Sequence, residues 1–220
     1  MALFGGAPAN ASGTVTPEQA KLVASDAAKF DYFGASVSIS GDTLVVGARI
    51  DGDAGPKSGS VYVFIRSGTT WTQQAKLTAN DAVAGDQFGQ SVAISGNTLV
   101  VGAHLADDKG SASGSAYVFV RSGSTWIQRA ELSGSDTTAN DRFGVDVAIS
   151  GKTIVVGADG DDDAGSWSGS AYVFTRKGKN WSQQAKVKAK DAAAYDYFAS
   201  SVAISGDSIV IGANRDDHAG

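Results

Sequence analysis

Apolar and polar residues alternate along this chain with the period of two that marks β-strands, in short runs punctuated by glycine turns. In "SVAISGNTLVVGA" (residues 91 to 103) one run ends at Ser95 and the next begins at Thr98. The two residues between them, Gly96-Asn97, suit a type II′ turn, because glycine accepts the positive φ of the first central position. A tight antiparallel hairpin is predicted. A third run, "GSVYVFIR", sets Val61, Val63 and Ile65 on one face and Tyr62 and Phe64 on the other, so both faces are predicted to be covered. A fourth, "TWTQQAKL", follows a Ser-Gly turn and is mostly polar, as befits an outer edge.

The whole pattern returns every 55 residues without insertion, and four periods make up the 220-residue chain. Phe33-Gly34, Phe88-Gly89, Phe143-Gly144 and Phe198-Ala199 mark the period, and the hairpin turns recur as Gly41-Asp42, Gly96-Asn97, Gly151-Lys152 and Gly206-Asp207. Four antiparallel strands repeated at this spacing predict an all-β fold, a β-propeller of four four-stranded antiparallel blades. The first strand of each repeat is rich in Ser, Val, Ala and Ile, small enough for the crowded axis, and the recurring phenylalanine is predicted to wedge between neighbouring blades. A single domain over 1–220 is expected, with blade sheets at about 34–78, 89–133, 144–188 and 199–220. The last is only half a blade. Residues 1–23 contain "TVTPEQAKLV", which matches the outer strand "TTWTQQAKLT", so the N-terminal strands are expected to pair with the C-terminal half-blade and close the ring. The same offset would let the segment pair with another molecule, giving either a monomer or a strand-swapped homo-oligomer.

With Phe-Gly before the first strand and Gly-Ala closing the second, the chain resembles the FG-GAP repeat family, the blades of integrin α-subunit propellers and of many bacterial surface proteins. The residue after Gly-Ala varies, as Arg49, His104, Asp159 and Asn214. The resemblance implies an extracellular or cell-surface, non-enzymatic scaffold for adhesion, presenting loops to a protein or glycan ligand. Integrin-type blades hold calcium in a loop between the first two strands, where this chain has two-residue turns. A structural module that self-assembles without a ligand, natural or engineered, is the second reading, and a propeller lectin a lesser one.

Charge and residue chemistry narrow these readings. The net charge is −5 with Lys and Arg scattered, so no basic stripe tracks a nucleic-acid backbone. Cysteine is absent, which removes disulfides and thiolate chemistry. No apolar run approaches the roughly 20 residues that span a bilayer, and the first residues do not read as a signal peptide. No nucleophile elbow, phosphate loop or zinc-protease motif is present, and the acidic pairs recur in every repeat, so no catalytic residue is assigned.

Acidic loops follow the second strand of each repeat. Asp159, Asp161 and Asp163 could supply several oxygens to Ca²⁺, with Asp51 and Asp53, Asp107 and Asp108, and Asp216 as weaker candidates, against a solvated turn-forming loop. A second set precedes each Phe-Gly: Asp26 and Asp31, Asp81 and Asp86, Asp136 and Asp141, Asp191 and Asp196. These are expected to accept backbone N–H bonds in the crossovers, or, where they meet a neighbouring acidic loop, to complete an inter-blade cation site. Trp71, Trp126 and Trp181 are expected to cover blade edges, whereas Trp167 stands alone in a loop as an exposed ligand-binding anchor. His104 and His218 are read as solvated.

Overall fold

The structure, a computed structural model, describes residues 2–3 and 20–217, so most of the expected N-terminal seam, and His218, lie outside the described residues. It is all-β, with antiparallel pairing within every sheet and no helix among the described residues. Three four-stranded sheets follow one another: β3 (Phe33–Ser40), β4 (Thr43–Ala48), β5 (Ser60–Ser67) and β6 (Thr70–Leu77); then β7 (Ser91–Ser95), β8 (Thr98–Ala103), β9 (Ser115–Ser122) and β10 (Thr125–Leu132); then β11 (Val147–Ser150), β12 (Thr153–Ala158), β13 (Ser170–Lys177) and β14 (Asn180–Val187). The fourth repeat contributes the two-stranded sheet β15 (Phe198–Ser205) and β16 (Ser208–Ala213). A further two-stranded sheet joins β1 (Ala2–Leu3) to β2 (Ala20–Lys21).

Each predicted hairpin turn forms as its glycine requires, with φ of 58°, 57°, 58° and 57° at Gly41, Gly96, Gly151 and Gly206. Within a four-stranded sheet the strands lie in sequence order, so the small-residue first strand and the polar fourth strand are the two edges. The first strands converge: β3 packs on β7, β7 on β11 and β11 on β15.

The core lies between sheets. Phe88 is fully buried between the first and second sheets, among Val45, Val63 and Leu77 on one side and Leu99 and Tyr117 on the other. Its ring meets Tyr117 and Phe119 edge-on, at 5.6 and 5.9 Å between centroids. Phe143 repeats the arrangement one junction later. The Phe-Gly backbone is sutured to the preceding repeat, since the N–H groups of Phe88, Phe143 and Phe198 donate to the carbonyls of Ser58, Ser113 and Ser168 at 2.9, 2.9 and 3.0 Å. Gly47, Gly102 and Gly157 face the same segment. A Cβ at any of them would lie 2.0–2.1 Å from the backbone oxygen of Gly89, Gly144 or Ala199, so only glycine permits this approach.

The expected ring closure is not formed among the described residues. β1 pairs with β2, β16 pairs only with β15, and the stack stays open at its two ends. The consequence is visible in burial. Val92 and Ile94 on β7 are 6% and 7% exposed, whereas their equivalents on β3, Val37 and Ile39, are 51% and 53% exposed. On the opposite end, Val210 is 68% exposed while its equivalents Val45, Val100 and Val155 are fully buried.

Candidate functional site

Two polar regions stand out from this repeated frame: acidic clusters on the loops between second and third strands, and a mixed cluster where the innermost strands begin.

The acidic clusters form because cross-strand pairing sets a lysine beside a tyrosine at the base of an acidic loop. Lys186 on β14 pairs with Tyr172 on β13, and its ammonium reaches Asp136, Asp161 and Asp163 at 2.8, 2.7 and 2.6 Å. The Tyr172 hydroxyl lies 2.9 Å from carboxylate oxygens of both Asp136 and Asp161. Burial alone works against the charge on Lys186, but its three carboxylate partners outweigh that and hold its pKa above the ordinary lysine value. The first repeat is built alike, with Lys76 bonded to Asp26, Asp51 and Asp53, and the Tyr62 hydroxyl 2.8 Å from Asp26 and from Asp51.

The third loop therefore does not gather its aspartates around one ion. Asp161 and Asp163 turn to Lys186, while Asp159 faces away to Arg142, at 3.4 Å. In the first loop Asp51 and Asp53 likewise turn to Lys76. In the second, Asp107 accepts from the Ala112 N–H at 2.7 Å and Asp108 from the Ser115 hydroxyl at 2.9 Å. Asp216 is exposed near the end of the described residues. An ammonium of the chain itself thus occupies the place that the sequence gives to calcium in the first and third loops. The integrin-type position between first and second strands offers no ligand set, being a two-residue turn in each repeat.

The aspartates ahead of each Phe-Gly divide by role. Asp31, Asp86, Asp141 and Asp196 accept backbone N–H bonds from Ala28, Val83, Thr138 and Ala193 at 2.7–2.8 Å, as expected of crossover turns. Asp26 and Asp136 instead join the lysine clusters.

The mixed cluster gathers the variable residues that follow Gly-Ala. Arg49 donates to Gln87 and Gln90 of the next repeat at 3.1 and 3.3 Å and stacks on Tyr32. His104 is not solvated, contrary to expectation: it is 5% exposed, and its Nδ1 has no hydrogen-bond partner. Burial first, then the nearby Arg142 and Arg49 charges, lower its pKa to about 4. Asp159 is equally buried, its Oδ1 makes no hydrogen bond but lies 3.4 Å from the Arg142 guanidinium, and burial raises its pKa against the pull of Arg142. Trp167 is part of this cluster rather than a free anchor. It is half-buried, stacked on Tyr197 at 5.4 Å and covered by the Arg142 guanidinium at 5.6 Å.

Of the edge tryptophans, Trp126 is buried and donates through Nε1 to Gln74 of the preceding repeat, whereas Trp71 and Trp181 lie under Arg66 and Arg176. Between the outer strands of the second and third sheets a cleft of about 390 Å³ is lined by Arg129, Arg176, Lys179 and Trp181 among others.

A family model described as FG-GAP repeat matches residues 16–64, 71–119, 126–174 and 181–220. No curated protein matches the chain. Among solved structures, the crystal structure of the computationally designed Ika4 protein is similar at a TM-score of 0.46 and 16% identity, covering 89% of this chain and 92% of that one.

Proposed function

This chain belongs to the FG-GAP repeat family, and from that premise we propose that it is a non-catalytic binding scaffold of extracellular type, a four-bladed β-propeller that offers the inner-end cluster to a protein or glycan ligand. The contrast between frame and variable position carries the binding reading. Strands, turns and inter-sheet phenylalanines repeat almost unchanged, while the residue after Gly-Ala changes to Arg49, His104 and Asp159, and His104 keeps a buried Nδ1 without a hydrogen-bond partner. An unmet buried polar group costs about 1–3 kcal/mol, so the unpartnered His104 Nδ1 argues for a role outside folding.

Three features support ring completion. β1–β2 repeats the pairing of a third and a fourth strand, since Ala2↔Lys21 and Leu3↔Ala20 correspond to Tyr62↔Lys76 and Val63↔Ala75. β15–β16 is the matching first and second pair. Val210 on one side and Val37 on the other are residues whose equivalents every sealed junction buries. Gly212 fits as well: a Cβ there would meet only Ser201 of its own repeat, at 3.7–3.8 Å, where its three equivalents meet an oxygen of the next repeat at 2.0–2.1 Å. A second reading, a structural module joined copy to copy, draws on the same halves, because a neighbouring molecule can supply either one.

Binding is tested by interferometry against immobilised glycan and peptide panels with wild type, His104→Ala, Asp159→Ala and Trp181→Ala. A ligand lost in the first two variants and kept in the third supports the inner-end site. The opposite pattern overturns it in favour of a lectin-like cleft, and no binder in either panel leaves the structural module. Light-scattering mass separates ring from array: the proposal expects 22.3 kDa, one chain, and multiples of it overturn self-closure.

A further inference from the structure

The second repeat breaks the rule that governs its neighbours. Where the first and third repeats have Lys76 and Lys186, it has Glu131, and where they have the buried Asp51 and Asp161, it has Ala106. Three aspartates and a lysine sum to −2; Asp81, Asp108 and Glu131 sum to −3 with no ammonium among them. Each of the three brings one carboxylate oxygen within 4.8 Å of the others.

One hydroxyl at this spot lacks what its counterparts have. Tyr62 and Tyr172 each bond two aspartates, but the hydroxyl of Tyr117, a residue only 1% exposed, has no hydrogen-bond partner among the described residues. The register of β9 and β10 sets Tyr117 opposite Glu131, as Tyr62 is set opposite Lys76 and Tyr172 opposite Lys186, so its ring stands at the base of the same loop. Ser115 Oγ lies 2.9 Å from Asp108 Oδ2 and 2.9 Å from Glu131 Oε1, yet it has one proton and can donate to only one of them at a time.

We propose that Asp81, Asp108 and Glu131 form a Ca²⁺ site, at the place that a lysine ammonium fills in the first and third repeats. The donor chemistry is all oxygen, which selects a hard cation over a transition metal. Calcium–oxygen distances of about 2.3–2.6 Å let ligands on opposite sides of the ion stand roughly 5 Å apart, so three oxygens that all lie within 4.8 Å of one another can share one ion. The exposure of all three carboxylates leaves room for waters to complete a shell of about 6–8 oxygens, with the Ser115 and Tyr117 hydroxyls at its inner side. The three carboxylates carry −3 in each of these repeats; a lysine leaves −2 in the first and third, and a divalent ion leaves −1 in the second. An open site with three carboxylates belongs in the affinity range of extracellular modules, a Kd of roughly 10⁻⁴–10⁻³ M. The inference needs neither ring closure nor an inner-end ligand.

Terbium luminescence tests it, because Tb³⁺ stands in for Ca²⁺ and Tyr117 lies close enough to sensitise it. Tb³⁺ is added to the intact chain, excited through tyrosine and then displaced with Ca²⁺ or Mg²⁺, and the same titrations are run on Glu131→Lys and Glu131→Gln. Glu131→Lys restores the residue that the first and third repeats already hold at this position, so a folded variant is expected, checked by its circular dichroism. The expected result is saturable emission in wild type, displaced by Ca²⁺ at lower concentration than by Mg²⁺, with affinity about tenfold or more weaker in both variants. Calcium also raises the melting temperature of wild type and not of Glu131→Lys. Unchanged Tb³⁺ affinity in Glu131→Lys, no Ca²⁺ response up to about 10 mM, or Mg²⁺ displacing as well as Ca²⁺ would each overturn the proposal.

Discussion

A disulfide across the seam asks directly whether one chain completes its own ring. Ala2 and Leu3 take the places of Tyr62 and Val63 in the pairing of outer strands, and Tyr62 and Val63 pair on their other side with Val46 and Val45. The equivalents of Val46 and Val45 in the fourth repeat are Ile211 and Val210, so closure sets Ala2 opposite Ile211 and Leu3 opposite Val210. Opposed antiparallel residues have Cα atoms about 4.5–5.5 Å apart, within the range that a disulfide spans. The chain has no cysteine, so the double variant Leu3→Cys/Val210→Cys carries a single reportable pair. The bond would close a loop of 207 residues, 210 minus 3, for which the chain-entropy relation gives roughly 5 kcal/mol at 25 °C. With an unfolding entropy of about 2.1 cal/mol/K per residue, near 0.46 kcal/mol/K for 220 residues, that is a rise of about 11 °C in Tm. The assay is oxidation at low concentration, non-reducing electrophoresis, peptide mapping of the linked fragment, and melting with and without reductant. A ladder linking position 3 of one chain to position 210 of another refutes self-closure and favours copy-to-copy joining. No cross-link, or a cross-link without gain in Tm, refutes the register itself.

Phe88→Ala removes a fully buried ring from a sealed junction and is expected to cost about 3–5 kcal/mol, while Phe33→Ala, at the half-buried end position, costs less; chemical denaturation of both variants checks the difference. Gly102→Ala would drive a Cβ to 2.0 Å from the Gly144 oxygen and should destabilise severely, whereas Gly212→Ala meets nothing closer than 3.7 Å; if the ring closes in solution, thermal melts will show the two variants equally damaged. His104 gives a pH signature. Its folded pKa is depressed, so the stability it contributes is present above its unfolded value of 6.5 and is lost as pH falls towards about 4, by roughly 3 kcal/mol. His104→Gln is expected to flatten the stability profile over that window, measured as denaturation midpoint against pH, and an unchanged slope would refute the burial account.

Strand order, hairpin turns and the inter-sheet phenylalanines were legible in the sequence because each is a local pattern repeated four times. Gly96-Asn97 can make only a small set of turns, and Val61, Val63 and Ile65 facing away from Tyr62 and Phe64 demand cover on both sides. The acidic loops misled because composition does not show which way a carboxylate turns. Lys186 was the missing signal: it recurs with Lys76 at the same phase, and the register of the two outer strands sets both beside a tyrosine. Reading that column would also have exposed Glu131 as the odd member. His104 and Trp167 looked like loop residues because their burial comes from neighbouring repeats, through Arg142, Arg49 and Tyr197, and not from their own sequence surroundings. The ends of the chain were legible as complementary halves, but whether they meet depends on long-range geometry that no local pattern encodes.

The glycine-to-carbonyl approach at Gly47, Gly102 and Gly157 has a consequence for how such proteins change over generations. Because main chain meets main chain there, the angle from one tile to the next is indifferent to which side chains decorate the surface. Loops can diverge freely, as the Arg, His and Asp after Gly-Ala already have, without altering the curvature of the whole. A duplication that adds a tile then lengthens the stack without requiring a new joint.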